Sequence, residues 1–243
     1  MEAKVSPQTA RKKARLLAGG PVRVPDDFRF PFLLSKSTAG PGAGSAGVVF
    51  TFGNTRAKKT ISRDSGDFVL EQVGHELVIK EGDKTLIRNV ELVPTILHAP
   101  YQAFINLDHA CVFSCKFCAS PRLERNATKD LSDDRILAMV KDASKRMDFQ
   151  AVAFTSAVSV SPGATVSRMA GLVRKVREML PGTPIGVEPY ATRPDEVDLL
   201  RNSGADEIKL NIESFDPEIF DKICPERDYG VILHCINHAC EVF

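Results

Sequence analysis

Ala103-Phe-Ile-Asn-Leu107 runs into Asp108-His-Ala-Cys111-Val-Phe-Ser-Cys115-Lys-Phe-Cys118: an apolar, strand-like stretch, then three cysteines within eight residues. Thiolates at that spacing can all turn inward from one tight loop. They are one short of the four that close a tetrahedral zinc site or fill an ordinary iron–sulfur cluster. A cluster held by three cysteines leaves one iron open to a small molecule. The competing interpretation is a zinc knuckle or a buried cysteine trio. A knuckle needs a fourth ligand nearby, and His109, two residues before Cys111, is offset by a spacing unusual for zinc.

Outward from this loop the chain divides near residue 100. Before it, short runs rich in Val, Ile, Leu and Phe are separated by turn residues: Gly47 to Phe52, Phe68 to Glu71, Glu76 to Lys80 and Thr85 to Val93. They predict a small β-rich domain over 1–100, with Pro94 to Pro100 as its linker. Arg11, Lys12, Lys13 and Arg15 precede Leu16-Leu17 and read as a solvated first helix. Gly42-Ala-Gly-Ser-Ala-Gly47 matches a dinucleotide fingerprint only in letters. It follows Pro41 and leads into a β-like run instead of opening a helix, so a loop is expected.

Beyond residue 100 strands and helices alternate. Strands are expected at Ala103 to Leu107, Ala151 to Phe154, Pro184 to Val187 and Glu207 to Ile212. Ser132 caps a helix whose apolar face runs from Ile136 to Met147. Val166 to Met179 repeat at helical spacing until Pro181-Gly182. Further helices span Pro194 to Asn202, Pro217 to Ile223 and Tyr229 to Phe243. This alternation gives a parallel sheet with its sites at the C-terminal strand ends.

Composition narrows the functional classes. The net charge of +1 gives no reason to expect nucleic acid, and no apolar stretch approaches the ~20 residues of a membrane span. Six cysteines, three clustered and three late, do not form a disulfide framework, which fits a reducing cytoplasm.

The Cys-x3-Cys-x2-Cys spacing, with Phe117 before the last cysteine, resembles the signature of the radical S-adenosylmethionine (SAM) enzymes. The resemblance spans Tyr101 to Phe243 and is nearest the biotin synthase-like, cofactor-building branch. Thr155-Ser156-Ala157 follows the second strand, where the family places a contact to the amino group of SAM. Gly186-Val-Glu188 is similar to that branch's Gly-Leu-Glu. Asn211-Ile-Glu213-Ser214 resembles its ribose-contacting Asn-Leu-Asp-Thr. Ile223-Cys-Pro-Glu-Arg227-Asp-Tyr229 resembles a run whose arginine pairs the methionine carboxylate.

The fold so implied is α/β: a partial TIM-like barrel of the radical SAM type, with about four β/α units over 101–243 beside the β-rich domain. The family has six such units, and the chain stops inside an apolar helix, so a piece of a longer protein is expected. The implied metal ligands are Cys111, Cys115 and Cys118, carrying a 4Fe–4S cluster. The implied SAM-binding residues are Thr155, Ser156, Glu188, Asn211, Glu213 and Arg227. A flavodoxin- or ferredoxin-type one-electron reductant would then drive cleavage of SAM to a 5′-deoxyadenosyl radical. That radical takes hydrogen from a small-molecule or protein substrate, in cofactor biosynthesis or modification. Val112, Phe113 and Phe117 are expected to bury the cluster.

Biotin synthases place a cysteine two residues after the glutamate where this chain has Tyr190, and no cysteine precedes Cys111, so sulfur insertion is not expected. The residues leave open other roles. Glu188 and Glu213 suit solvated loops, Arg227 suits a helix cap, and Cys224, Cys235, Cys240, His234 and His238 suit helix packing and surface. A non-catalytic iron–sulfur or zinc-binding protein, truncated or degenerate, is the alternative.

Overall fold

The computed structural model describes residues 5–32, 34–36, 46–97, 101–118, 120–122 and 132–243. The chain forms two compact units, Met1–Pro100 and Tyr101–Phe243.

In the first unit helix α1 (Pro7–Ala18) starts at Ser6, whose Oγ accepts the Thr9 N–H at 3.1 Å, with Pro7 inside the first turn. Eight strands follow: β1 (Val22–Arg23), β2 (Ser35–Lys36), β3 (Ala46–Phe52), β4 (Thr55–Ser62), β5 (Phe68–Val73), β6 (Glu76–Glu81), β7 (Lys84–Ile87) and β8 (Glu91–Val93). They form one sheet in the order β2-β3-β4-β1-β5-β6-β7, with β8 on β3. Its core gathers Leu16, Val48, Phe50, Phe68, Leu70 and Ile79, all fully buried. The expected single strand over Thr85 to Val93 is instead two. Asn89 takes a left-handed φ of 52°, which breaks the extended run, and β7 and β8 pair with different partners. Strand β4 escaped the sequence analysis because Lys58 and Lys59 interrupt its apolar alternation. Of the expected glycine-rich loop, residues 42–45 lie outside the described residues, while Ala46 and Gly47 open β3. Thr95–Leu97 forms a 3-10 turn within the expected linker, and residues 98–100 also lie outside the described residues.

The second unit is built on four parallel strands, β9 (Gln102–Asn106), β10 (Ala151–Thr155), β11 (Ile185–Glu188) and β12 (Glu207–Ile208), in the spatial order β12-β11-β10-β9. Helices α2 (Asp133–Ala143), α3 (Pro162–Met179), α4 (Pro194–Asn202), α5 (Pro217–Ile223) and α6 (Tyr229–Val242) connect and close them. Ser132 caps α2, accepting the Arg135 N–H at 3.3 Å. Burial alternates along the strands: Ala103 and Ile105, Val152 and Phe154, and Ile185 and Val187 are buried, while the residues between them are only partly so. Helix α2 packs on β9 and α3 on β11. This is the partial barrel wall that the radical SAM resemblance implied.

Two expectations need correction here. Met147 lies beyond the end of α2 and is fully exposed, because the helix stops at Ala143. The strand over Glu207 to Ile212 pairs only at Glu207 and Ile208, opposite Gly186 and Val187. One further bond, from the Lys209 N–H to the Val187 carbonyl at 2.8 Å, carries the extended chain to the site.

Phe154, fully buried on the helix-packed face of β10, anchors this layer. Phe154→Ala is expected to destabilise the protein by about 3–5 kcal/mol through lost burial and a residual cavity. Urea unfolding measures it, and a loss below about 1 kcal/mol would contradict this packing.

Candidate functional site

Parallel register sets Asn106, Thr155 and Glu188 side by side, as the last residues of β9, β10 and β11. All three line a cavity of about 260 Å³. The other residues singled out from the sequence line the same cavity: Cys111, Cys115, Cys118, Ser156, Asn211, Glu213 and Arg227. Residues far apart in the chain are thus brought to one mouth at the C-terminal strand ends.

The cysteine loop is tied down along its length. The Leu107 N–H donates to the Thr155 carbonyl at 2.9 Å, the Ala157 N–H to the Asp108 carbonyl at 3.0 Å, and the Val112 N–H to the Val158 carbonyl at 2.7 Å. The loop entrance therefore runs beside the extension of β10. Asp108 also accepts from Arg168 at 3.1 Å and Ser159 at 3.2 Å, and Arg168 reaches back to Asp133 of α2 at 2.9 Å. Further on, the Cys118 N–H closes a turn on the Cys115 carbonyl at 3.1 Å, and the Ser120 N–H donates to Cys118 Sγ at 3.4 Å. All three cysteines are free and partly buried. Val112 and Phe117, expected to bury the loop, are 40 % and 55 % exposed. Phe117 still lines the cavity, together with Phe113, whose ring stands edge-on to Tyr190 with centroids 5.1 Å apart, whereas Val112 does not.

Burial, reinforced by the adjacent Cys224 thiol, pushes the Cys115 thiol up to about 11, although Arg227 pulls the other way. His109, the sequence candidate for a fourth zinc ligand, is buried and does not line the cavity. Among the described residues no three His, Cys, Asp or Glu side chains stand together to hold a single metal ion.

Arg227 is the electrostatic centre of the cavity, and it lies against Cys115 and Cys224. Its side chain is only 10 % exposed. Nη1 donates to Glu213 at 3.2 Å and Nη2 to the Asn211 carbonyl at 3.1 Å, while the guanidinium lies over the Tyr190 ring at 4.6 Å. Burial opposes its charge, but Glu213 and the Cys224 and Cys115 sulfurs hold the pKa above the ordinary arginine value. Its Nε is buried without a hydrogen-bond partner. The helix-cap role therefore does not describe this side chain, which turns to Asn211 and Glu213 in the segment that follows β12. Glu188 is not solvated freely either: one of its oxygens accepts from Asn211 at 2.7 Å and Lys209 at 3.0 Å. Ser156 Oγ donates to the Ala157 carbonyl at 2.7 Å.

Sequence reasoning missed Asn106, Tyr190 and Cys235 as cavity residues. Asn106 becomes visible only once the strands are in register, and nothing in the sequence marks Tyr190 as a platform for Arg227. Cys235 was assigned to helix packing; it is buried, packs against Ala191 and Val197, and still reaches the cavity. His238 bonds Asp198 at 2.7 Å, and His234 is exposed.

With its thiol raised to about 11, Cys115 in the metal-free chain should be alkylated slowly at pH 8. The thiolate fraction is about a hundredfold below that of an unperturbed thiol. Iodoacetamide mapping is expected to label the exposed Cys240 first, and equal rates at the two positions would contradict the burial of Cys115.

The Radical SAM superfamily model matches residues 105–243. No curated protein matches the chain. Among solved structures, the chain is similar to methylornithine synthase (PylB) at 23 % identity and a TM-score of 0.47, covering 58 % of this chain and 41 % of that one. It is also similar to HydG, a maturase of the FeFe hydrogenase, at 15 % identity and a TM-score of 0.43, covering 60 % of this chain and 34 % of that one. The chain thus spans about two fifths and one third of the lengths of these two proteins. No helix among the described residues is long and apolar enough to cross a membrane. The family match takes in well over half of the sequence and every residue that lines the cavity, and the chain belongs to the radical SAM superfamily.

Proposed function

We propose that Cys111, Cys115 and Cys118 hold a 4Fe–4S cluster in this cavity and that the surrounding strand ends bind SAM for radical chemistry. Enzymes of this superfamily use that cluster and SAM. The observation that carries the assignment to these residues is their convergence: three free cysteines and six polar residues from four strand ends line one cavity. A cluster does not need the single-ion convergence that is absent among the described residues, since each cysteine ligates its own iron. When bound, the cluster supplies the electron that splits SAM into methionine and a 5′-deoxyadenosyl radical.

The chain's own groups suit the rest of the work. Arg227 is charged, held on Tyr190 and Glu213, and keeps a buried N–H free of partners, so a carboxylate in the cavity would complete its hydrogen bonding. Glu213 is able to accept ribose hydroxyls. Ser156 spends its own proton on the Ala157 carbonyl, leaving its oxygen to accept from an ammonium, and Thr155 lines the cavity beside it. Glu188 orients the Asn211 amide in the segment that follows β12. The half-burial of the cysteines limits water at the loop. The strand-end motifs support the biotin synthase-like branch and a substrate in cofactor biosynthesis or modification. A flavodoxin- or ferredoxin-type donor is the corresponding reductant.

Anaerobic reconstitution with iron and sulfide, then dithionite and SAM, should yield a brown protein that releases 5′-deoxyadenosine. A brown protein that releases none would contradict the SAM assignment. Cys115→Ala should remove both the colour and the product, and product surviving that change would contradict the ligand assignment. Arg227→Ala should keep the colour and weaken SAM binding by about 1–3 kcal/mol, roughly five- to 150-fold in Kd by calorimetry. Unchanged affinity would take Arg227 out of the site.

A further inference from the structure

We infer that Glu226 is a positioning residue that fastens the cysteine loop to the segment carrying Arg227. The inference rests on the cluster assignment to Cys111, Cys115 and Cys118. Both oxygens of the Glu226 carboxylate are taken by one residue of the loop. The Ser114 N–H donates to Oε2 at 3.0 Å, and Ser114 Oγ donates to Oε1. On the other side of Cys115, the Lys116 N–H donates to the Ile223 carbonyl at 2.9 Å. The middle cysteine is therefore flanked on both sides by bonds to the same short segment, 223–226, which leads directly into Arg227.

The side-chain tie is the one a sequence can choose, because the Lys116 bond uses only main chain. A carboxylate accepting from an N–H and an O–H forms charge-assisted bonds, stronger than a neutral acceptor would. The neighbours Glu226 and Arg227 divide two tasks: one holds the cysteine loop, and the other binds Glu213 and the Asn211 carbonyl in the cavity lining. Their adjacency fixes the distance between the cysteines and the guanidinium, which the cluster assignment requires to be constant.

The test uses the full chain as wild type, Glu226→Ala, Glu226→Gln and Ser114→Ala, with urea midpoints recorded for each. Amide exchange is followed over residues 112–117 in the cluster-free protein, and iron loss to a chelator in the anaerobically reconstituted one. Glu226→Ala is expected to speed both by about tenfold while the chain stays folded, its urea midpoint lowered by no more than the loss of this one tie, with Glu226→Gln and Ser114→Ala falling between it and wild type. Unchanged exchange in Glu226→Ala would overturn the fastening. Faster exchange with unchanged iron loss would overturn the positioning role. A wild-type chain that takes up no iron would sink the cluster assignment and this inference with it, which separates that failure from the other two.

Discussion

Parallel pairing in register brings Asn106, Thr155 and Glu188 to one level at the ends of β9, β10 and β11, and the rest of the cavity hangs from that row. Side chains alternate along each strand, so a slip of one residue would turn Thr155 toward the helices and Phe154 toward the cavity. The fully buried Phe154, Val152 and Ile185 penalise that slip, since each would be pushed into a polar, partly open space. Burial on the helix side thus fixes which polar groups face the site. The cysteine loop then takes its course from main-chain bonds to the same strand end, through Thr155, Ala157 and Val158.

Charge is arranged around this frame with little waste. Arg227 is the buried cation of the cavity wall, balanced by Glu213 and supported by an aromatic face. A buried guanidinium with an unfilled donor is costly in an apolar setting unless something anionic completes it. Beside it, burial and the neighbouring Cys224 push the Cys115 thiol above its ordinary range, against the pull of Arg227.

The second unit was largely legible from sequence because its signals are local. Ser132, Pro181-Gly182 and the apolar periodicity of Val166 to Met179 mark where helices begin and end, and α2 and α3 lie where those marks put them. Strand ends were less legible: β12 pairs for two residues only, since pairing depends on a neighbour the local pattern does not reveal. In the first unit, Lys58 and Lys59 hid β4 because a strand that is paired on both edges tolerates lysines whose stems lie along the sheet. For the site, residues with strong chemical identity at tight spacing, such as Cys111, Cys115 and Cys118, stood out at once. Tyr190, Cys235 and Glu226 did not, because each acts through a contact distant in sequence: Arg227 and Phe113, the cavity itself, and Ser114.

The central claim is that Cys111, Cys115 and Cys118 would hold an iron–sulfur centre in the cavity that also binds SAM. Electron paramagnetic resonance of the reconstituted, dithionite-reduced protein, frozen with and without SAM, tests it most directly. The account predicts a reduced-cluster signal whose shape changes when SAM is added, because the open iron gains a ligand. Identical spectra in the two samples would contradict it.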